Sequence, residues 1–193
     1  MRDASRLLSS LESGRFSLRP WRESDRAALI SLVGDSETKN MSGLPCLRNE
    51  AEAAEFIVKT LVPRGSLALM LPGFSEPKGN LSVFESVYSR AFSSFSGLEL
   101  GFSLARPHWG RGIMSEVLKL SLEGLFFEGG LDFVCCGRFF DNARCASMIK
   151  RLGFIDCFEF KSSFIRSDGS TPRELMALCT PLLFRRALES SSR

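Results

Sequence analysis

Arg106-Pro107-His108-Trp109-Gly110-Arg111-Gly112-Ile113-Met114-Ser115-Glu116 runs from the end of an alternating strand into the start of a helix. Upstream, Leu98, Leu100, Phe102 and Leu104 share one face of an extended chain, while Glu99, Gly101 and Ser103 share the other. Downstream, Ile113 to Glu128 is mostly apolar apart from the stripe Glu116, Lys119 and Glu123. That pattern predicts a helix lying on a sheet with one narrow wet edge, stopped by Gly129-Gly130. A strand that enters a helix through two glycines and a cation forms an anion cradle. The glycines let backbone approach the anion closely, and the first helical N–H groups point at it. The nucleotide loop ending in Gly-Lys-Ser/Thr is excluded, as is the dinucleotide fingerprint, whose third glycine would fall at Ser115.

On the C-terminal side, Leu131 to Arg138 is nearly all apolar, as in a strand covered on both faces. This suggests a parallel neighbour reached through the preceding helix. Asp141 or Asn142 then caps a helix ending in Lys150-Arg151-Leu152-Gly153, with cations at its negative end and glycine just beyond. Strands near Asp156–Ile165 and Glu174–Cys179 flank the turn Ser167-Asp168-Gly169-Ser170.

On the N-terminal side, Arg15 to Arg19 alternates as a half-buried strand that Pro20 halts. Ser24 or Asp25 caps a helix through about Val33, and Asn49 caps a second one to about Leu61. Strands near Ser66–Leu71 and Leu81–Val87 form a hairpin around the turn-rich Pro72–Gly79, and Ser89–Ser96 is a loop. Trp21 packs the end of the first strand, and Cys135 and Cys136 alternate as core and cover. His108 is expected to face solvent.

The 193 residues suffice for one domain with short ends. The expected division is an extension over residues 1–14, a domain over 15–183 and a tail over 184–193. A net charge of +3 is too even to announce a nucleic acid partner, though it is compatible with a polyphosphate ligand. Apolar runs such as Leu67–Pro72 fall far short of the ~20 residues of a membrane helix, and the start resembles no signal peptide, so the expected location is cytoplasmic. The 6 cysteines lack Cys-x-x-Cys pairs and His108 is the single histidine, which argues against a disulfide scaffold and a metal site.

The order strand, helix, helix, three antiparallel strands, glycine turn, helix, parallel strand, helix, hairpin resembles the GNAT N-acetyltransferases, and within them the ribosomal-protein (RimJ/RimL-type) branch. The resemblance is carried by Arg15-Phe16-Ser17-Leu18-Arg19-Pro20-Trp21 with Ser24-Asp25, by Leu98-Glu99-Leu100-Gly101-Phe102, by Trp109 to Glu116, and by Asn142 placed before Gly153-Phe154. It implies an α/β (α+β) fold: a mixed, mostly antiparallel sheet with a V-shaped splay between the fourth and fifth strands, flanked by about four helices. It also implies an acetyl-CoA site. Backbone groups of Phe102, Ser103 and Leu104 would hold the pantetheine arm, Trp109, Gly110, Arg111, Gly112, Ile113 and Met114 the pyrophosphate, and Asn142 a position near the arm. Met114 stands where the family has a small residue.

Acetyl transfer needs a neutral amine, a polarised carbonyl and a stabilised leaving thiolate. The resemblance nominates Glu99 or Glu174 as the base, with a base acting through water as the alternative. Many family members carry a leaving-group tyrosine where Ile149 stands, and the ribosomal-protein branch a serine where Cys145 stands. Cys145 is therefore either a thiol donor or a packed helix cysteine. The acceptor implied is a protein α-amine; alternatives are a small amine or a non-catalytic acyl-CoA-binding module. The acceptor pocket is expected among the first two helices, the Lys39–Leu47 loop and the Ser89–Ser96 loop, with Asp35, Glu37 and Glu50 nearby. A monomer or a homodimer is expected.

Overall fold

The structure, a computed structural model, describes residues 2–85, 94–166 and 168–191. The Val87 end of the expected hairpin strand, Tyr88, Ser89–Ser93 of the serine-rich loop and Ser167 lie outside the described residues. Two compact units share β-strands and a helix: Met1–Val83 with Gly101–Met114, and Phe84–Leu100 with Ser115–Arg193.

In the first unit, α1 (Arg2–Ser9) and the two-residue β1 (Glu12–Ser13) lead into β2 (Phe16–Pro20). The Leu8 side chain is fully buried and β1 pairs antiparallel with β2, so these residues are packed rather than trailing. Arg19 holds Asp25 through two hydrogen bonds of 2.7 and 2.8 Å, and Asp25 also accepts the Arg22 N–H, tying the strand end to α2 (Arg26–Gly34). Burial alone would raise the Asp25 carboxyl, yet Arg19 and the Arg22 N–H hold it below its ordinary value.

α3 (Ser36–Ser42) follows, so Lys39–Ser42 is helical where a loop was expected. The Asp35 side chain caps it by accepting the Thr38 N–H, and Gly43 at φ 64° ends it. α4 (Glu50–Phe56) is capped by Asn49 and continues in a π-turn, Ile57–Leu61. β3 (Leu67–Met70) and β4 (Gly79–Glu85) form the expected hairpin, with Leu67 opposite Leu81. Trp21, Leu29, Val33, Ile57 and Leu61 pack one core, where each buried large apolar side chain is worth ~1.5–3 kcal/mol. Its polar members are satisfied: Trp21 donates to Asn80, Asn80 to Ser82, and Ser82 pairs with Ser66.

β5 (Gly97–Leu104) passes through the glycine turn into α5 (Ile113–Glu123), extended by a π-turn to Glu128 and ended by Gly129. β6 (Phe133–Phe139) begins two residues later than the expected Leu131. α6 (Ala143–Arg151), β7 (Ile155–Lys161), β8 (Arg173–Cys179) and α7 (Pro181–Ser191) complete the chain. The last hairpin's first strand stops at Lys161 rather than Ile165, because Ser162 turns to bond Pro172 and Glu174. The strand order is β1-β2-β3-β4-β5-β6-β8-β7. The sheet is mostly antiparallel, and the parallel pair is β5 with β6, in register at Gly97–Phe133, Leu98–Val134 and Glu99–Cys135. Seven α-helices stand among the described residues where about four were expected, because α1, α3 and α7 are added.

Phe184 of α7 is fully buried, and α7 follows β8 directly. Gly153, which ends α6, sits at φ 88°, and a β-carbon there would lie 2.6 Å from the Leu183 carbonyl. Left-handed strain and that backbone overlap together make Gly153→Ala destabilising by about 2–3 kcal/mol, a fall in Tm of roughly 5–10 °C. Thermal unfolding checks it, and a melt overlaying the parent's would show that the contact gives way at no cost.

Candidate active site

In the first unit, one 3₁₀ turn, Arg106–His108, separates β5 from the glycines. The Trp109 indole N–H donates to the Leu104 carbonyl at 2.6 Å, pinning the ring to the strand end and occupying one backbone group expected to hold a ligand arm. Gly110 and Gly112 have φ of 73° and 75°, while Arg111 between them is not left-handed. This alternation curls successive N–H groups toward one side, the backbone arrangement that cups an anion. A β-carbon on Gly110 would meet nothing within 4 Å, so the cup is open there. Met114 and Ile113 are each 7% exposed, so the bulk of Met114 is absorbed by packing. On β5 the Ser103 hydroxyl is buried and has no hydrogen-bond partner among the described residues. A buried orphan of this kind asks for a ligand group.

His108 corrects the expectation of a solvent-facing residue. It is buried edge-on against Phe74 at 5.3 Å between centroids. Burial, then the Arg111 and Lys78 cations, push its imidazole below its ordinary value, so it is neutral at pH 7 and serves packing. The acidic residues near the expected acceptor pocket are ion-paired. Glu37 and Asp35 face Arg106 at 3.1 and 3.9 Å, and Glu50 faces Arg26 at 3.0 Å.

In the second unit, sheet register gathers the two carboxylates. Glu99 on β5 stands opposite Cys135 on β6, and Glu174 on β8 stands opposite Phe139. Gly137 lies between those two β6 positions on the same face, because side chains alternate. A β-carbon on Gly137 would lie 3.4 Å from Glu174 Oε2 and 3.7 Å from Glu99 Oε1, so the missing side chain leaves the space where the acids converge. Burial first, then the Glu174 charge, raises the Glu99 carboxyl above its ordinary value. Glu174 is held from behind: the Ser162 hydroxyl donates to its Oε1 and accepts the Phe164 N–H at 3.0 Å.

Cys145 is placed elsewhere. Cys136 alternates with Gly137 and so projects from the opposite face of β6, where its thiol hydrogen-bonds Cys145 in the first turn of α6. That hydrogen bond and complete burial raise the Cys136 thiol well above its ordinary value, leaving Cys145 the more acidic of the two. Of the two cap candidates it is Asn142 that serves, with its carbonyl oxygen accepting the Cys145 N–H at 3.0 Å. Asp141 instead forms a two-pronged pair with Arg166, and the two arms are 2.7 Å each. Sequence reasoning missed Gly137 and Ser162 as shapers of the carboxylate pair. Strand register alone brings them there, and no local motif announces it.

A family model described as "Acetyltransferase (GNAT) domain" matches residues 15–155. The fold is similar to an acetyltransferase of the GNAT family from Bacillus anthracis, with TM-score 0.72 and 15% identity over 88% of this chain and 97% of that one. It is also similar to ribosomal-protein-S5-alanine acetyltransferase from Vibrio fischeri, with TM-score 0.68 and 14% identity over 88% and 95%. Spermidine N-acetyltransferase from Vibrio cholerae, solved with CoA and spermine, matches with TM-score 0.71 and 13% identity over 90% and 99%. With its left-handed glycine cup following β5 and a family match spanning most of its length, this chain belongs to the GNAT acetyltransferase family.

Proposed function

We propose that the protein transfers acetyl from acetyl-CoA to a primary amine, the α-amine of a protein N-terminus, by direct attack within a ternary complex. The observation that carries the reaction is the convergence of Glu99 and Glu174 over Gly137, with the Glu99 carboxyl raised. Members of the family use acetyl-CoA as co-substrate, and the residues here suit it. The Gly110–Gly112 cup offers N–H groups to a pyrophosphate, and the orphaned Ser103 hydroxyl offers a hydrogen bond to a polar arm along β5. Bound acetyl-CoA supplies the activated thioester.

An amine acceptor arrives as an ammonium ion at neutral pH and must lose a proton before it is a nucleophile. Two carboxylates side by side attract that cation, and Glu99, raised toward the working pH, accepts the proton. Glu174, accepting a hydrogen bond from the Ser162 hydroxyl, stands beside Glu99, and the nearness of its carboxylate supports the basicity of Glu99. Cys145 lies beside Cys136 on the other side of β6 from this pair, so it serves packing and the CoA thiolate departs without a side-chain acid. Asn142 rigidifies the first turn of α6.

Similarity to a ribosomal-protein-S5-alanine acetyltransferase supports a protein acceptor, and similarity to a spermidine N-acetyltransferase supports a polyamine. Mass spectrometry of reactions with acetyl-CoA decides between them, offering alanine-initiated peptides and spermidine side by side. The expected result is one acetyl group on the peptide α-amine, with kcat/KM at least about tenfold above spermidine. Preference for spermidine would replace the protein acceptor with a small amine. CoA binding without transfer to either would favour the non-catalytic reading.

A further inference from the structure

We propose that Arg15 is the positioning residue that holds the glycine turn in its anion-binding form. The inference rests on the reading that this turn takes the pyrophosphate of CoA. Arg15 lies 96 residues before Arg111, just ahead of β2, and its Nη2 donates to the Arg111 carbonyl oxygen. Its other terminal nitrogen would be 3.9 Å from a β-carbon on Gly112. The guanidinium therefore lies over the Arg111–Gly112 peptide.

What that contact does follows from peptide geometry. The peptide is trans and planar, so its C=O and N–H point in opposite directions. Fixing the Arg111 carbonyl toward Arg15 thus aims the Gly112 N–H to the opposite side, with the other N–H groups of the cup. Without a brace this peptide is easily overturned. Glycine populates positive and negative φ about equally, so the freedom that lets Gly112 reach φ 75° also lets it leave. An overturned peptide would present a carbonyl dipole to the phosphates where an N–H is needed.

Arg15 has a firm base from which to act. The next residue, Phe16, is 1% exposed and begins the strand that pairs with both β1 and β3, and the Arg15 backbone N–H is held by Ser13. The first stretch of the family match therefore contributes to a site built from residues far along the chain.

The test uses the full chain and two ligands, CoA and pantetheine, which lacks the pyrophosphate. In calorimetry, Arg15→Ala is expected to raise Kd for CoA about tenfold, equivalent to ~1.4 kcal/mol, and to leave Kd for pantetheine unchanged. The salt dependence of CoA binding should keep its slope. A slope smaller by about one would mean that Arg15 itself neutralises a phosphate and would overturn the positioning role. In ligand-free protein, the Gly112 amide should broaden by microsecond-to-millisecond exchange in Arg15→Ala and not in the parent. Unchanged CoA affinity together with an unchanged Gly112 amide would overturn the proposal. A parent that binds CoA no tighter than pantetheine would sink the pyrophosphate reading instead, while the amide measurement still decides whether Arg15 braces the turn.

Discussion

Replacing Glu99 by glutamine is expected to lower kcat/KM about 10²–10³-fold at pH 7, the usual range for loss of a positioned general base. Affinity for acetyl-CoA should be unchanged, because the glycine cup is left intact. The variant should be no less stable than the parent. A carboxyl whose folded value is raised destabilises the fold once ionised, so a neutral amide there removes a cost at pH 7. Steady-state kinetics, calorimetry and a melt separate these effects. Turnover that survives the exchange would pass the proton transfer to water or to Glu174. The companion Glu174→Gln fixes the sign of the coupling. The Glu174 charge raises Glu99, so removing it lets Glu99 ionise at lower pH, and the acid limb of the kcat/KM profile should move down. A limb that stays in place would show that the two carboxylates do not sense one another.

Gly112→Ala should be the most damaging single change for acetyl-CoA binding, with Kd rising about 10–100-fold. The added methyl meets only Arg15 Nη1 at 3.9 Å, so crowding is not the cause. The cost is conformational: φ of 75° charges a residue with a β-carbon ~1–2 kcal/mol, and the turn can escape by leaving the left-handed region, which dismantles the cup. Asparagine tolerates that region, so Gly112→Asn should bind more tightly than Gly112→Ala although it is larger. The opposite ranking would show that volume governs the site. Isothermal titration with acetyl-CoA reads both.

The carboxylates show why the site was only half legible in the chain. Alternation along Leu98–Leu104 already places Glu99 opposite the leucines, and nothing near it in sequence names its partner. Glu174 reaches it because β6 stands between β5 and β8, in a register that puts Gly137 between the two acids. Shifting either ladder by one residue would carry one carboxylate to the other face of the sheet. His108 shows the converse error. The family resemblance puts it at a variable loop place and so implies exposure, whereas Phe74 from the β3–β4 hairpin covers it.

By itself the sequence determined whatever neighbours along the chain can encode. The glycine pair marks a backbone that must be left-handed, the alternating run marks β5, and the Asp141-Asn142 pair marks the start of α6 without saying which of the two caps it. These are short-range preferences of φ, ψ and side-chain spacing, and they located the left-handed glycine turn after β5. Tertiary structure alone decided that Glu99 meets Glu174 over Gly137, that Ser162 holds one of them, that Cys145 turns to Cys136, and that Arg15 grips the turn beside Gly112. Each of those meetings depends on strand order and register, which come from burying whole faces at once rather than from any local run of residues.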